Sequence, residues 1–133
     1  MQTFIVHGKN HSGELARLTG ALASKNVNVL ITALGLNGQG VAAFVASDEA
    51  SAQTALREAG FEFKMLPTLT IRMNDVPGQA AEVGRKLGDQ GVNIECFLPI
   101  SITEDKVIAA LGVDKLETAK KALDEYLVEY SYS

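Results

Sequence analysis

The sequence contains a single cysteine, Cys96, and no run of five or more charges of one sign. One cysteine cannot form an intramolecular disulfide or a multi-cysteine metal site, so we interpret Cys96 as a buried structural thiol. With 12 basic and 16 acidic residues the formal net charge is -4, which argues against nucleic acid or an anionic membrane as a partner. The first residues lack the pattern of a secretory signal, and we therefore expect a cytoplasmic protein.

An uncharged stretch over residues 26–47 is long enough to resemble a membrane span. Asparagines and glycines interrupt it, however, Gly35 and Gly40 among them, and they predict two strands joined by a turn at Asn37 and Gly38. With 47% hydrophobic and 21% charged residues, the composition is that of a folded globular chain. The length of 133 residues suffices for one domain of common size or for two small ones.

An internal repeat becomes visible when the sequence is compared with itself at a shift of 65 residues. Glycines, asparagines and apolar positions then coincide, as in the pairs Thr3 and Thr68, Gly13 and Gly78, Leu22 and Leu87, Val27 and Val92, and Asn28 and Asn93. In the later part of each repeat we allow for about one extra residue, which aligns Asp48 with Asp114, and we align Ala55 and Leu56 with Ala122 and Leu123. The sequence therefore predicts two modules, residues 1–65 and residues 66–133.

Each module is predicted to follow the order strand, helix, strand, strand, helix, strand. In the first module TFIVHG and VAAFVA are typical of strands, and apolar residues recur at helical spacing from Glu14 onwards. Asn10 or Ser12 is expected to cap the first helix, and Ser47 or Asp48 the second. This order predicts an α+β fold of the ferredoxin-like type, with an antiparallel sheet and both helices on one face.

The strands VAAFVA and VIAAL are apolar at nearly every position, which is typical of strands buried on both faces. The sheet face without helices is therefore expected to pack on another sheet, from the sister module or from a second subunit. Of these two arrangements the homodimer is our prediction. Residues 127–133 are predicted to form either a frayed last strand or a tail.

Candidate ligand-binding residues cluster where the first strand of each module leads into a helix. Amides at a helix start attract a carboxylate, and glycine lets a ligand approach the backbone closely. Nearby carboxamides or carboxylates can meet an ammonium group. The predicted set is Asn10, His11, Ser12, Gly13, Glu14, Leu15 and Asn28 in the first module and Asn74, Asp75, Val76, Pro77, Gly78, Gln79 and Asn93 in the second. Each also has a local explanation as a turn, cap or strand-entry residue, but the doubling of the set favours function.

The segment NDVPGQAAEVGRKLGDQGVNI resembles the ACT family of regulatory amino-acid-binding domains, and KNHSGELARLTGALASKNVNV resembles it more loosely. Together with the repeat, the resemblance covers nearly the whole chain. It implies a tandem ACT protein that binds a free amino acid, has no catalytic activity and requires no cofactor or metal. The implied partners are the amino acid, a second copy of the chain, and a regulated enzyme or regulator.

Within that family, the serine-sensing domain of phosphoglycerate dehydrogenase implies ligand contacts at Asn10 and Asn28, and at Asp75 and Asn93 in the second module. Two residues depart from the family pattern. Ser12 stands where the family usually has proline, and Asp75 replaces a carboxamide with a carboxylate that would repel a ligand carboxylate. The two sites are therefore not expected to be equivalent.

Other functional classes find little support in the sequence. Ser12 and His11 are adjacent at a helix start, where a nucleophile and its base seldom pair, and His7 and His11 lack a third metal ligand. RNA recognition would need stacking aromatics on a basic sheet face, and copper carriage would need a Cys-x-x-Cys loop. The remaining alternative is a dimerisation or protein-interaction module that binds no ligand.

Overall fold

The computed structural model describes residues 1–133, and the chain divides into two units, Gln2–Met65 and Leu66–Ser131. The first unit contains β1 (Gln2–Lys9), α1 (Glu14–Ser24), β2 (Val29–Leu36), β3 (Gln39–Ala46), α2 (Glu49–Glu58) and the start of β4 (Phe63–Asn74). The second contains the rest of β4, α3 (Gln79–Asp89), β5 (Ile94–Thr103), β6 (Lys106–Val113), α4 (Leu116–Ala122) and a short 3-10 helix (Asp124–Tyr126). Both units have the α+β, ferredoxin-like fold predicted from the sequence.

The first unit is built on antiparallel strands in the order β2-β3-β1. Phe4 on β1 pairs with Phe44 on β3, and their rings stack with centroids 5.0 Å apart. Leu22 of α1 and Leu56 of α2 are fully buried in the cluster that holds both rings, so the two helices cover the same sheet face. Phe63, at the start of β4, completes this core, which apolar burial stabilises by roughly 1.5–3 kcal/mol for each large side chain.

Turn and cap residues act largely as predicted in the first unit. Asn37 and Gly38 both have positive φ, 53° and 76°, which is the combination required by a type I′ hairpin turn. Asp48 caps α2 by accepting a hydrogen bond from the Ser51 backbone N–H at 3.1 Å. Hydrogen bonds from the Ser51 backbone and side chain lower the pKa of Asp48, because they favour its charged form.

The second unit repeats this arrangement with antiparallel strands in the order β4-β6-β5. Ile71 on β4 and Leu111 on β6 are fully buried in one cluster. Leu87 of α3 and Leu123, which follows α4, are fully buried in the same cluster. Both helices of this unit therefore also cover one sheet face.

The end of the chain contributes a single bridge rather than a full strand. Leu127 pairs antiparallel with Ile71, and the Val128 backbone N–H donates to the Thr70 carbonyl at 3.1 Å. The Thr70 hydroxyl donates in turn to the Val128 carbonyl at 2.6 Å. After this bridge the chain has no regular secondary structure, so the last residues combine a minimal strand with a tail.

Strand β5 is longer than its counterpart β2, with ten residues against eight. Its pairing with β6 shifts register between Ile94 and Cys96 and again between Pro99 and Ser101. Such shifts mark β-bulges, each of which inserts one residue into a strand. The later part of the second unit is therefore displaced by two residues, and the prediction of about one was wrong.

The two-residue displacement changes which residues correspond. The Asn28 backbone N–H donates to the Ser47 hydroxyl at 2.8 Å, and the Asn93 backbone N–H donates to the Asp114 carboxylate at 2.9 Å. Asp114 thus corresponds to Ser47. The alignment of Asp48 with Asp114 was wrong, because Asp48 is the N-cap of α2 and the N-cap of α4 is the residue after Asp114.

The later parts of the central strands β3 and β6 are buried on both faces, as predicted, whereas Val41 near the start of β3 is 39% exposed. Phe44 and Val45 are neighbours that point to opposite faces, and they are 0% and 1% exposed. Ala110 and Leu111 are both 0% exposed on β6. None of the helices has both the length and the apolar character needed to cross a membrane.

Candidate functional site

The first unit contains a cavity of about 610 Å³ at the end of the sheet where β1 leads into α1. This volume lies within the range of about 300–1,000 Å³ that is typical of small-molecule sites. The walls come from β1, the loop after it, the first turns of α1, the β2–β3 hairpin and the loop before β4. They comprise residues 6–11, 33–35, 40–42 and 60–62, together with Glu14, Leu15, Arg17 and Leu18.

Three glycines form a row across the sheet at this cavity. Gly8 pairs with Gly40, and Gly40 pairs with Gly35, so the three lie side by side on β1, β3 and β2. Strand alternation directs Gly8 to the same face as Phe4 and Val6, which is the face that α1 covers. A Cβ atom at Gly8 would meet nothing within 4 Å. The glycine row therefore leaves open space between α1 and the sheet at Gly8.

Asn10 lies over two residues of the glycine row, Gly35 and Gly40. Its Nδ2 atom is 2.1 Å from the position that a Cβ atom would take at Gly35. The Asn10 backbone N–H donates to the Gly38 carbonyl at 2.9 Å, which ties the loop to the β2–β3 turn. A carboxamide that can both donate and accept hydrogen bonds is thereby placed at the cavity edge, and only glycine at position 35 allows it to lie there.

The start of α1 differs from the prediction. Gly13 is the N-cap with φ of 87°, and no side chain caps the helix. The expectation that Asn10 or Ser12 does so was wrong, because a left-handed glycine takes the N-cap position and Asn10 is held over Gly35. Gly78 is the equivalent N-cap of α3, with φ of 90° and again no capping side chain. Amides of both first turns thus lack a side-chain acceptor.

Charged side chains surround the mouth of the cavity. Glu14 accepts from Arg17 at 3.2 and 3.4 Å and lies 3.2 Å from His11 Nε2. Arg17 also donates to the Ala59 carbonyl at 3.1 Å, and its guanidinium carbon lies 3.9 Å from the centroid of the Phe61 ring. Arg17 is thus held by a carboxylate, a carbonyl and an aromatic face. It forms a fixed wall of the cavity.

Two further charges at the cavity have no partner within the chain. Lys9 and Glu62 both line it and are exposed, and neither forms an ion pair or a side-chain hydrogen bond. One unpaired charge of each sign is therefore available at the mouth. An ammonium and a carboxylate on one small molecule would complement this pair.

The corresponding row in the second unit carries side chains. Met73 pairs with Val107, and Val107 pairs with Ile102, at the register positions of Gly8, Gly40 and Gly35. Met73 is only 6% exposed and belongs to the core of this unit. Val107 is partly buried and packs against that core. The space that is open in the first unit is thus filled by core side chains in the second.

The loop before α3 is also closed by its own side chains. Gln79 Oε1 accepts from the Asn74 backbone N–H at 3.1 Å, and Gln79 Nε2 donates to Glu82 at 3.2 Å and to the Tyr126 hydroxyl at 3.4 Å. Burial raises the pKa of Tyr126, and the hydrogen bond with Glu82 raises it further, so the phenol stays neutral. The Asp75 backbone N–H donates to the Asp105 carbonyl at 2.7 Å.

Asn28 and Asn93 lie away from these loops within their own units. Asn28 immediately precedes β2, whereas the cavity lies at the other end of that strand, seven residues away at Gly35. At about 3.3 Å per residue the separation is roughly 23 Å. Asn28 Oδ1 accepts from the Val29 backbone N–H at 3.1 Å. The first unit alone therefore does not bring Asn10 and Asn28 together.

The other predicted residues are divided between cavity and loop. His11, Glu14 and Leu15 line the cavity of the first unit, whereas Ser12 and Gly13 belong to the loop but not to the lining. In the second unit Asn74 is hydrogen-bonded to Lys106, and residues 75–78 are exposed.

Sequence reasoning missed several residues that build the cavity. They are Gly8, Lys9, Arg17, Gly35, Gly40, Phe61 and Glu62. One signal was present, because the shift of 65 residues places Gly8 opposite Met73, where a glycine replaces an apolar residue of the repeat. The glycines at 35 and 40 were interpreted only as turn signals. Their partnership with Gly8 depends on strand register.

The structure contains no cluster of side chains suited to bind a metal ion. No group of three or more His, Cys, Asp or Glu side chains is placed to hold a metal ion. Cys96 is partly buried, and this burial raises its pKa, so the thiol stays protonated at neutral pH.

The family comparison covers almost the whole chain. The model of a family described as an ACT domain pair matches residues 1–131. A search of curated proteins finds no match. The more specific likeness to the serine-sensing domain of phosphoglycerate dehydrogenase stays a prediction.

Solved structures share the fold at low sequence identity. Protein BT0572 from Bacteroides thetaiotaomicron is 23% identical, with a TM-score of 0.77 over 93% of this chain and 86% of its own. The ligand-free regulatory subunit of aspartate kinase from Thermus thermophilus is 18% identical, with a TM-score of 0.68 over 94% and 91%. The same subunit from Thermus flavus is 22% identical, with a TM-score of 0.65 over 93% and 90%. At these identities the likeness shows the fold alone.

Proposed function

Since the chain belongs to the ACT domain-pair family, we propose that it is a regulatory protein that binds a free amino acid and catalyses no reaction itself. The observation that carries the proposal is the cavity of about 610 Å³ in the first unit, opened by the glycine row of Gly8, Gly35 and Gly40. This cavity is the proposed binding site. The second unit, whose corresponding space is filled, serves as a structural partner in the same chain.

The polar groups of the cavity support an amino acid as the ligand. Lys9 and Glu62 supply one unpaired charge of each sign, and Asn10 supplies a donor and an acceptor. The uncapped amides at the start of α1 add positive potential near the same place. A zwitterion offers a carboxylate to Lys9 and these amides, and an ammonium to Glu62.

The regulatory role follows from how such a ligand would act. A ligand changes the state of a protein only when it binds one arrangement more tightly than another. We propose that the bound amino acid alters how this chain associates with a second copy and with an enzyme or regulator. Two of the solved structures that share the fold are named as regulatory subunits of aspartate kinase.

A second candidate function is an interaction module that binds no ligand. Leu34 and Leu36 favour it, because they are 59% and 67% exposed on β2, the edge strand of the first unit. Exposed apolar side chains on an edge strand are typical of surfaces that pair with another chain. This function does not require the glycine row.

A thermal-shift panel of the twenty amino acids tests the proposal. At a hundredfold excess over the dissociation constant, a ligand should stabilise the chain by about 2.7 kcal/mol, which raises the melting temperature by several degrees. If every amino acid leaves the melting temperature unchanged, the interaction module becomes the better account.

A matched pair of variants then locates the site. Gly8→Met introduces the residue that the second unit has at this position, and its side chain would fill the cavity. Gly20→Met adds the same side chain on α1 away from the cavity, where a Cβ atom also meets nothing within 4 Å. We expect the ligand response to be lost in the first variant and kept in the second. A full response in Gly8→Met would place the ligand elsewhere.

A further inference from the structure

The cavity of the first unit is apolar at its bottom and polar at its mouth. Val6, Leu18 and Ala42 line it and are 5%, 4% and 7% exposed. Lys9 and Glu62, by contrast, are exposed at the mouth. A ligand that satisfies both regions must carry its charges at one end and an apolar group at the other, because burying a charge against the bottom would be costly.

The second unit shows what kind of group fits at the bottom. There the Met73 side chain lies at the position of Gly8, and the Val107 side chain lies at the position of Gly40. Both pack against the core beneath the helices. An apolar group of about this size therefore completes the same arrangement of helix and sheet within a single chain. In the first unit the position of Met73 is open at Gly8, whereas the Asn10 Cβ atom lies 3.5 Å from the Cβ position at Gly40.

We infer that the amino acid proposed above carries an apolar side chain, between valine and phenylalanine in size, which enters the cavity at Gly8 and takes the place that Met73 fills in the second unit. This inference rests on the proposed function. Within the glycine row Gly8 is then the specificity-determining residue, because a side chain at position 8 would compete with that of the ligand for the same space. The ligand completes the hydrophobic core of the first unit.

Calorimetric titration of the full chain with six amino acids tests this inference. L-Methionine, L-leucine and L-phenylalanine represent the apolar class, and L-serine, L-aspartate and L-lysine the polar class. We expect at least tenfold tighter binding for the best apolar amino acid than for any polar one, since each buried methylene group favours binding several-fold. If a polar amino acid binds most tightly, the inference is wrong but the proposed function stands. If none of the six binds and the thermal-shift panel of all twenty amino acids shows no response, the proposed function fails as well.

A one-carbon change to the glycine row tests the specificity element directly. Gly8→Ala adds a methyl group in open space at the cavity, so the fold should tolerate it. We expect this variant to lose about tenfold or more in affinity for the largest apolar ligand and to lose less for L-valine. Gly20→Ala, which adds a methyl group elsewhere on α1, should leave all affinities unchanged. Equal affinity of wild type and Gly8→Ala for the largest ligand would contradict the assignment.

Discussion

The two units of the chain share an order of elements but differ in one row of residues beside the first helix. In the first unit this row consists of Gly8, Gly40 and Gly35, and in the second it begins with Met73 and Val107. The difference turns a cavity in one unit into part of the core in the other. On the proposed function, the duplicated fold has one half for binding and the other for structure, and the two differ at positions that face the helix layer.

The loops before the helices differ in a consistent way. Glu14 begins α1 and pairs with Arg17 and His11, which leaves the neighbouring cavity open. Gln79 begins α3 at the equivalent position and reaches back to the Asn74 backbone and across to Tyr126. The second loop is therefore closed by its own hydrogen bonds, which already satisfy the donor and acceptor groups of Gln79.

The largest expected effect is on the free energy of unfolding, when the residues at positions 8 and 73 are exchanged between the units, one variant at a time. Met73→Gly removes a side chain that is 6% exposed and should cost about 3–5 kcal/mol, from the lost burial and the flexible backbone. Gly8→Met enters open space and should change stability by no more than about 1 kcal/mol. Urea unfolding followed by circular dichroism and by tyrosine fluorescence measures both. Equal losses in the two variants would show that the two rows are structurally alike.

A smaller effect, on affinity, is expected from Gly35→Ala. Its new Cβ atom would lie 2.1 Å from Asn10 Nδ2, so the carboxamide has to move away from the cavity edge. We expect about tenfold weaker binding of the ligand that the amino-acid panel identifies, which corresponds to about 1.4 kcal/mol. Asn10→Ala should weaken binding to a similar extent.

The double variant Gly35→Ala/Asn10→Ala tests whether Gly35→Ala weakens binding by displacing Asn10 or by a general change of the cavity. If Gly35→Ala acts through Asn10, it should have no further effect once Asn10 is alanine. Titration calorimetry of the two single variants and the double variant gives the coupling. Independent, additive losses would mean that the Asn10 carboxamide is not the group displaced.

The smallest expected effect is on thermal stability and comes from the N-terminal cap of α2. Asp48 caps this helix, whereas no side chain caps α4. Asp48→Ala removes the hydrogen bonds to Ser51 and should lower the melting temperature by a few degrees at neutral pH. The fold lowers the pKa of Asp48 below its usual value of 3.8, so the charged form stabilises the fold above that value. This stabilisation is lost as the pH falls through the lowered pKa. The difference between wild type and Asp48→Ala should therefore shrink in acid.

Asp48→Asn provides the matched control for this titration. Asparagine caps helices well but does not ionise, so the variant should keep most of the cap at neutral pH. Thermal unfolding from about pH 7 to about pH 3 should show a constant cap contribution in this variant. A contribution that falls equally in both proteins would assign the pH dependence to other groups.

Much of the fold could be predicted from local sequence signals. The pair Asn37 and Gly38 predicts a hairpin turn because these residue types adopt positive φ readily, as both do here. Asp48 predicts a helix start because its carboxylate can accept hydrogen bonds from backbone amides of the first turn. The candidate site was predicted only in part. The β1–α1 loop was identified with His11, Glu14 and Leu15, but Lys9 and Glu62 lie 53 residues apart in sequence and no local pattern relates them.

The sequence by itself determined the repeat, through comparison with itself, and the order of elements, because apolar spacing and turn residues act over a few neighbouring positions. The family was indicated by the resemblance of the segments around Gly13 and Gly78, and the family model matches residues 1–131. The tertiary structure alone decided which unit contains a cavity. That outcome depends on cross-strand register, which aligns Gly8 with Gly40 and Gly35, and in the second unit on two bulges in β5 that bring Ile102 beside Val107. Strand register brings residues from distant segments side by side, and whether they leave a cavity depends on how the helices pack over them.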